Sequence, residues 1–440
     1  MCIRRVGVVL LAVAACNRPK GQERDGPLTI ERYEVLELRP QDLDTAMRRG
    51  DTIQLVLGGE RLQLQLRPKN LVAAGCTVTE LREQPVTTPC PTDLGTYAGA
   101  IVNKNQWSQA RLSITPEGVM GAIRTDDVTW MIEPLRDTTR TLPAGTVRHI
   151  AYRTDDVSGR LYFEGARDSG NARQRKPARK GSGNSEALRG EDNERPCDPE
   201  DRPCEPTRST GGGTPPTPAP LRLLGIAMAA DRQYVDQARL GTAFVQRQAA
   251  TLNMVDGMYR HEGIATFQIE AVIADPLDRF FGSFVSGDLL NAVQPAFAAA
   301  NLDISVPAVR VARNISTGFL TSGKPPDGII LGVADLPGIS GMAFQDFTYG
   351  IDPGTAQAIA LKNWMVMAHE LGHIYNGVHA EADWFCRFWF MYGIWCWNSA
   401  RTIMWESYSF RTSPEFSRGL VDASHNNARR LRMHIPTRVP

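Results

Sequence analysis

Residues 369–379 read HELGHIYNGVH, and this run decides how the C-terminal half of the chain is understood. The pattern from Ile359 to Tyr375 is helical, and His369 and His373 are four residues apart within it. On a helix, that spacing stacks two side chains one turn apart on one face. Two imidazoles so placed can share one zinc ion at about 2.0–2.1 Å each. Glu370, beside the first histidine, can reach a metal-bound water without being a ligand. A zinc site with an open fourth position needs a third protein ligand, and His379 is the candidate. A straight helix would carry His379 away from the metal-facing side, so the chain must turn first. Asn376-Gly377 supplies residues that tolerate a left-handed backbone. A bare HExxH recurs by chance. The third histidine and the turn pair sharpen it, and three of the seven histidines in the chain fall in this run.

Working outward, residues 221–440 alternate strand and helix patterns. Leu221–Ala230 is an apolar run that suits a buried strand. Asp231 follows, then a helical pattern over Tyr234–Met254 with Val235, Ala238, Phe244, Val245, Ala249 and Leu252 on the apolar side. Phe267–Ile273 and Gly328–Val333 read as strands, and Asp288–Ala300 as a helix. This order implies an α/β sandwich.

Residues 166–220 hold one large aliphatic, Leu188, no aromatic, and many Pro, Gly and charged residues. Such a segment buries too little apolar surface to offset chain entropy and is expected to be a disordered linker. Residues 16–165 read as a β-rich domain. Ile53–Leu57 and Leu62–Leu66 alternate apolar and polar around Gly58-Gly59, a hairpin pattern. Further strand patterns cover Tyr97–Val102, Ala110–Ile114, Val119–Ile123, Val128–Ile132 and Val147–Tyr152.

The histidine run resembles the metzincin signature, HExxHxxGxxH followed by a Met-turn. Within that group it is most similar to the adamalysin, or reprolysin, family, with Asn376 in place of the usual Gly. Thr402-Ile403-Met404, 25 residues after His379, resembles the Met-turn, with Met404 as an apolar floor beneath the metal. Leu224–Val235 is similar to the first strand and helix start of adamalysin catalytic domains. Gly341-Met342-Ala343 resembles the glycine-rich edge-strand region that pairs with extended substrate. Phe416–Leu431 resembles the C-terminal helix of bacterial reprolysin-like peptidases. Thr96–Ala100, Val119–Ile123, Ile132–Leu135 and Arg148–Arg153 resemble the adamalysin prodomain. Ala380 departs from the pattern, since many adamalysins carry Asp there.

The resemblance implies an α/β metzincin-type catalytic domain: a mixed twisted sheet, an active-site helix and a small lower subdomain. It implies a zinc-dependent endopeptidase with one catalytic Zn²⁺ on His369, His373 and His379. The metal would polarise the scissile carbonyl and acidify its water. Glu370 would act as general base and then return the proton to the leaving amine. An extended protein or peptide substrate would pair along Gly341, Met342, Ala343 and Phe344. A calcium site is left open, with no residue pattern arguing for one.

The N-terminus reads MCIRRVGVVLLAVAAC. Arg4 and Arg5 precede an apolar stretch too short to span a membrane, the shape of a signal peptide over residues 1–15. Val13-Ala14-Ala15-Cys16 resembles a bacterial lipobox, with Cys16 the lipid-bearing residue. The chain is therefore expected to be an exported lipoprotein of the outer membrane or cell surface, touching membrane through that lipid. An exported chain meets oxidising conditions, so Cys76 with Cys90, Cys197 with Cys204, and Cys386 with Cys396 read as local disulfides. A free thiol at Cys197 or Cys204 could instead cap the zinc and hold a latent zymogen. Between His379 and Met404 the run WFCRFWFMYGIWCW reads as an aromatic wall beside the substrate or a hydrophobic patch, as a satellite core, or as a membrane-contacting loop. Arg173–Lys180 reads either as a solvated charge run or as proteolytic sites; cutting there would release the catalytic domain from its anchor, unless residues 16–165 are simply a permanent spacer.

With 49 Lys+Arg against 48 Asp+Glu, no bulk positive charge points to nucleic acid. Two rival functions are weighed against the peptidase. One is a non-catalytic, zinc-containing surface binding protein of adhesin type. The other is a zinc hydrolase of cell-wall amides.

Overall fold

Two eight-stranded sheets enclose a pair of buried helices, giving a mixed α/β protein rich in strand. The structure, a computed structural model, describes residues 28–104, 108–125, 128–135, 142–158, 160–162, 167–168, 221–238, 243–261, 265–324, 331–336, 338–346, 357–375 and 407–409. Residues 1–169 and 221–440 fall in one compact unit and 170–220 in a second, none of whose residues is described.

In chain order, β1 (Thr29–Ile30) and β2 (Glu34–Leu38) lead to helix α1 (Pro40–Arg49). There follow β3 (Thr52–Leu57), β4 (Glu60–Pro68), β5 (Val72–Glu80) and β6 (Val86–Pro89). Next come β7 (Thr96–Ile101), β8 (Gln109–Thr115), β9 (Gly118–Arg124), β10 (Thr129–Pro134) and β11 (Val147–Arg153). Three short strands close this region: β12 (Val157–Ser158), β13 (Arg160–Tyr162) and β14 (Arg167–Asp168). After the second unit come β15 (Arg222–Asp231), α2 (Arg232–Ala238), α3 (Ala243–His261), β16 (Ala265–Asp275), α4 (Ser286–Ala299) and α5 (Pro307–Arg313). The last described elements are β17 (Ile315–Ser322), β18 (Gly332–Leu336), β19 (Ser340–Phe344), α6 (Ile359–Ile374) and β20 (Ser407–Ser409).

The first sheet runs β2-β11-β10-β9-β8-β7-β4-β3 and is antiparallel throughout. Seven of its eight strands, β3, β4 and β7 to β11, fall on the predicted strand patterns, and β2 falls on none of them. Gly58 and Gly59 both take positive φ, 60° and 78°, as a two-residue hairpin between β3 and β4 requires. Helix α1 covers one face, burying Leu43 and Met47, and ends at Gly50 with φ 73°.

The second sheet runs β14-β18-β19-β17-β15-β16-β5-β6. Strands β19, β17, β15, β16 and β5 are parallel, with β18 and β6 antiparallel beside them. The buried runs of β15 and β16 are nearly continuous in apolar residues because helices cover both faces. Strand β5, from the N-terminal region, pairs with β16, from the C-terminal region. Cys76 and Cys90 form a disulfide across the β5–β6 hairpin. Cys16, Cys197, Cys204, Cys386 and Cys396 lie outside the described residues.

Helices α3 and α6 lie between the two sheets, and α4 covers the far face of the second. Met120, Met131 and Tyr152 of the first sheet share one core with Met254 and Met258 of α3, Met365 and Met367 of α6, and Ile226 and Phe267 of the second sheet. This placement explains the composition of the helices. Every residue of α6 except Lys362 is buried, and so is every residue of α3 except Gln246, Arg260 and His261. A helix apolar on all sides is one covered on all sides. The pattern over Tyr234–Met254 appears as α2 and α3, with 239–242 outside the described residues.

Candidate metal centre

Helix α6 brings together His369, Glu370 and His373, as the spacing predicts. The two Nε2 atoms are 2.9 Å apart, and the ring planes meet at 85° with centroids 4.5 Å apart. Two imidazole nitrogens converging this closely form a donor pair of the type that zinc takes at about 2.0–2.1 Å. The residues present therefore fit such an ion. Among the described residues no group of three or more His, Cys, Asp or Glu is placed to hold a metal. The expected third ligand, His379, and the expected floor, Met404, lie outside those residues. The same holds for the aromatic run 384–397.

The helix is held from several directions. Its N-cap residue, Ala358, offers no side-chain cap. The cap comes instead from Glu133 on β10, whose Oε2 accepts the Ala360 N–H at 2.9 Å while Oε1 accepts the Tyr152 hydroxyl at 2.6 Å. A carboxylate at this end also complements the helix dipole. Complete burial pushes the Glu133 carboxyl up to about 7, and the donated hydrogen bonds from Tyr152 and the α6 backbone oppose that rise. Near the other end, the Tyr259 hydroxyl of α3 donates to the Ala368 carbonyl at 2.9 Å, one residue before His369. On the sheet side, a Cβ placed on Gly332 would lie 2.6 Å from Glu370 Oε1. Any larger residue at 332 would make the Glu370 side chain shift.

One expectation is corrected. Gly341, Met342, Ala343 and Phe344 were expected to form an edge for substrate. They lie in β19, an interior strand paired with β17 on one side and β18 on the other. Their own chemistry gives the reason. Gly341 packs against Ile374 of α6, where a Cβ would come within 2.8 Å of Ile374 Cδ1, and Met342 and Phe344 belong to the core that includes α4 residues. Strand β18 lies outside β19, and β14 pairs with its outer side at Arg167–Asp335 and Asp168–Leu336.

Glu133, Tyr259 and Gly332 are functional candidates that sequence reasoning missed. For Glu133 a signal exists: a lone acid in the apolar strand TWMIEP. For Gly332 and Tyr259 only the three-dimensional packing supplies one.

No family model matches the chain, and no curated protein matches it. Among solved structures, one described as a chaperone–substrate complex matches with a TM-score of 0.32 and 11% identity, over 49% of this chain and 35% of that one. The chain thus spans about a third of that structure's length, and a likeness this low carries no argument about fold or function.

Proposed function

We propose that the chain is a zinc-dependent endopeptidase of metzincin, reprolysin-like type. The observation that carries this reading is the convergence of His369 and His373 to 2.9 Å with Glu370 beside them on a helix held from both sides. His379 is the third ligand in this reading. A zinc ion held by these residues would supply a Lewis acid for the scissile carbonyl and an acidified water. Glu370 takes a proton from the attacking water and delivers it to the leaving amine. Gly332 brings β18 close against that carboxylate.

His369, Glu370 and His373 are each 0% exposed, and β14 occupies the outer side of β18. Lipid attachment at Cys16 and export complete the reading.

The test uses the full chain and its Glu370→Ala variant. Zinc content is measured by elemental analysis, and cleavage of an unfolded protein is followed with and without a chelator. One zinc per chain in both, with cleavage reduced about 10²–10⁴-fold in the variant, is the expected result. Absence of zinc in well-folded protein would overturn the reading. Zinc without cleavage in either form would move the assignment to a zinc-containing binding protein.

A further inference from the structure

We infer that the N-terminal region, residues 28–158, is a resident half of the folded protein, held without the covalent link. A cut anywhere in 170–220 then leaves a two-chain complex and releases neither part. The inference does not depend on the peptidase reading.

Three kinds of contact carry it. First, the second sheet is incomplete without the N-terminal region. Strand β5 pairs in parallel with β16 from Ile269–Val72 to Ala274–Glu80, and the Ile269 N–H also donates to Leu71 O at 2.6 Å. Removing β5 would leave a central, apolar, parallel strand as an open edge, an aggregation-prone arrangement.

Second, three buried polar groups of α3 take partners from the N-terminal region. Asp256, 0% exposed, accepts from Arg111 Nη1 at 2.8 Å. Asn253 Nδ2 donates to the carbonyls of Tyr97 and Leu112, 3.1 Å each. Arg247 pairs with Glu117. Separating the halves would take Arg111 from Asp256, both backbone carbonyls from Asn253 and Glu117 from Arg247, leaving those groups to be rehydrated. Breaking a buried pair is far more costly than breaking a surface pair.

Third, the active-site helix takes its N-terminal cap from Glu133 of β10. The C-terminal half alone would lack the group that terminates α6. A removable propeptide is expected to rest on a finished domain, whereas here sheet, helix cap and core are all shared.

The consequence reverses an expectation from the sequence. Proteolysis at Arg173–Lys180 would not shed the C-terminal half from a lipid on Cys16, because residues 28–158 keep hold of it.

The experiment replaces residues 173–180 of the full chain with the recognition sequence of a site-specific protease and cuts to completion. Expected are two bands on a denaturing gel but one particle of full-chain mass by native mass spectrometry. In urea, the cut protein should unfold with a midpoint that rises with protein concentration, while the uncut protein shows no such dependence. The Asp256→Ala change should lower the midpoint more in the cut than in the uncut chain. Separation of the fragments in native buffer, with the C-terminal fragment keeping its helix content, would overturn the inference. All these readouts are mass and unfolding, so a failure of the peptidase assignment leaves them unaffected.

Discussion

The two sheets have the same number of strands and are assembled differently. In the first, most neighbours in space are neighbours in sequence, joined by hairpins such as Gly58-Gly59. In the second, β16 pairs with β5 from nearly two hundred residues upstream, and β18 pairs with β14 from across the second unit. The first sheet is specified locally. Two of the second sheet's seven pairings, β16–β5 and β18–β14, exist only once the halves have met. Helix α6, which carries the candidate site, packs on β18 and β19 and takes its cap from β10, so the candidate site draws on both sheets.

The strongest way to break this comparison is at the buried pair that fastens one half to the other. Asp256→Ala removes the acceptor for Arg111, for the Thr266 hydroxyl at 2.5 Å and for the Phe267 N–H at 2.9 Å. It leaves a guanidinium that is largely desolvated. We expect the uncut chain to lose about 3–5 kcal/mol in urea unfolding. A loss below about 1 kcal/mol, the range of exposed pairs, would mean that the halves are fastened elsewhere.

What the sequence discloses follows the same division. The strands Ile53–Leu57 and Leu62–Leu66 are readable because one face is wet, so alternation survives in the residues. The helix carrying His369 and His373 is readable because a motif marks it. Strand β19 was misplaced to an edge because a strand buried on both faces carries no sign of which neighbour it has. Strand β5 was missed for a related reason: its sequence, VAAGCTVTE, does not encode a partner as remote as β16. Glu133 illustrates the limit at the site. Its acidity within an apolar strand is visible, but that it caps α6 is a fact of packing.

A second test sharpens the comparison by asking how the first sheet acts on the helix. The Glu133 carboxyl is raised from 4.5 to about 7 by burial, so the folded state holds its proton more tightly than the unfolded chain does. Its contribution to stability is therefore fully present below pH 4.5 and is lost as pH rises through about 7. The difference corresponds to about 3 kcal/mol. Glu133→Gln should remove this dependence while preserving an acceptor for the Ala360 N–H. Urea midpoints of the two proteins, measured from pH 4.5 to 8, should converge at the acid end and separate towards the alkaline end. Parallel profiles across the range would show that the carboxyl titrates as it does in water and that the cap is not buried in solution.

The smallest effect belongs to the opposite face of the first sheet. On α1, Arg48 pairs with Asp44 at 2.7 Å and Asp93 at 2.5 Å, and its side chain is 41% exposed. By distance alone this cluster resembles Arg111–Asp256. The difference is solvent: water screens the pair and rehydrates either partner when the other is removed, and Asp44 still accepts the Tyr97 hydroxyl. Arg48→Ala should cost about 0–1 kcal/mol in the same urea assay. Two ion pairs of similar length would then differ severalfold in effect, with burial between the layers as the cause. If instead Arg48→Ala matched Asp256→Ala, burial would not be what separates the outer face from the junction. The case that the halves are held by their inner layer would then need a different source of energy.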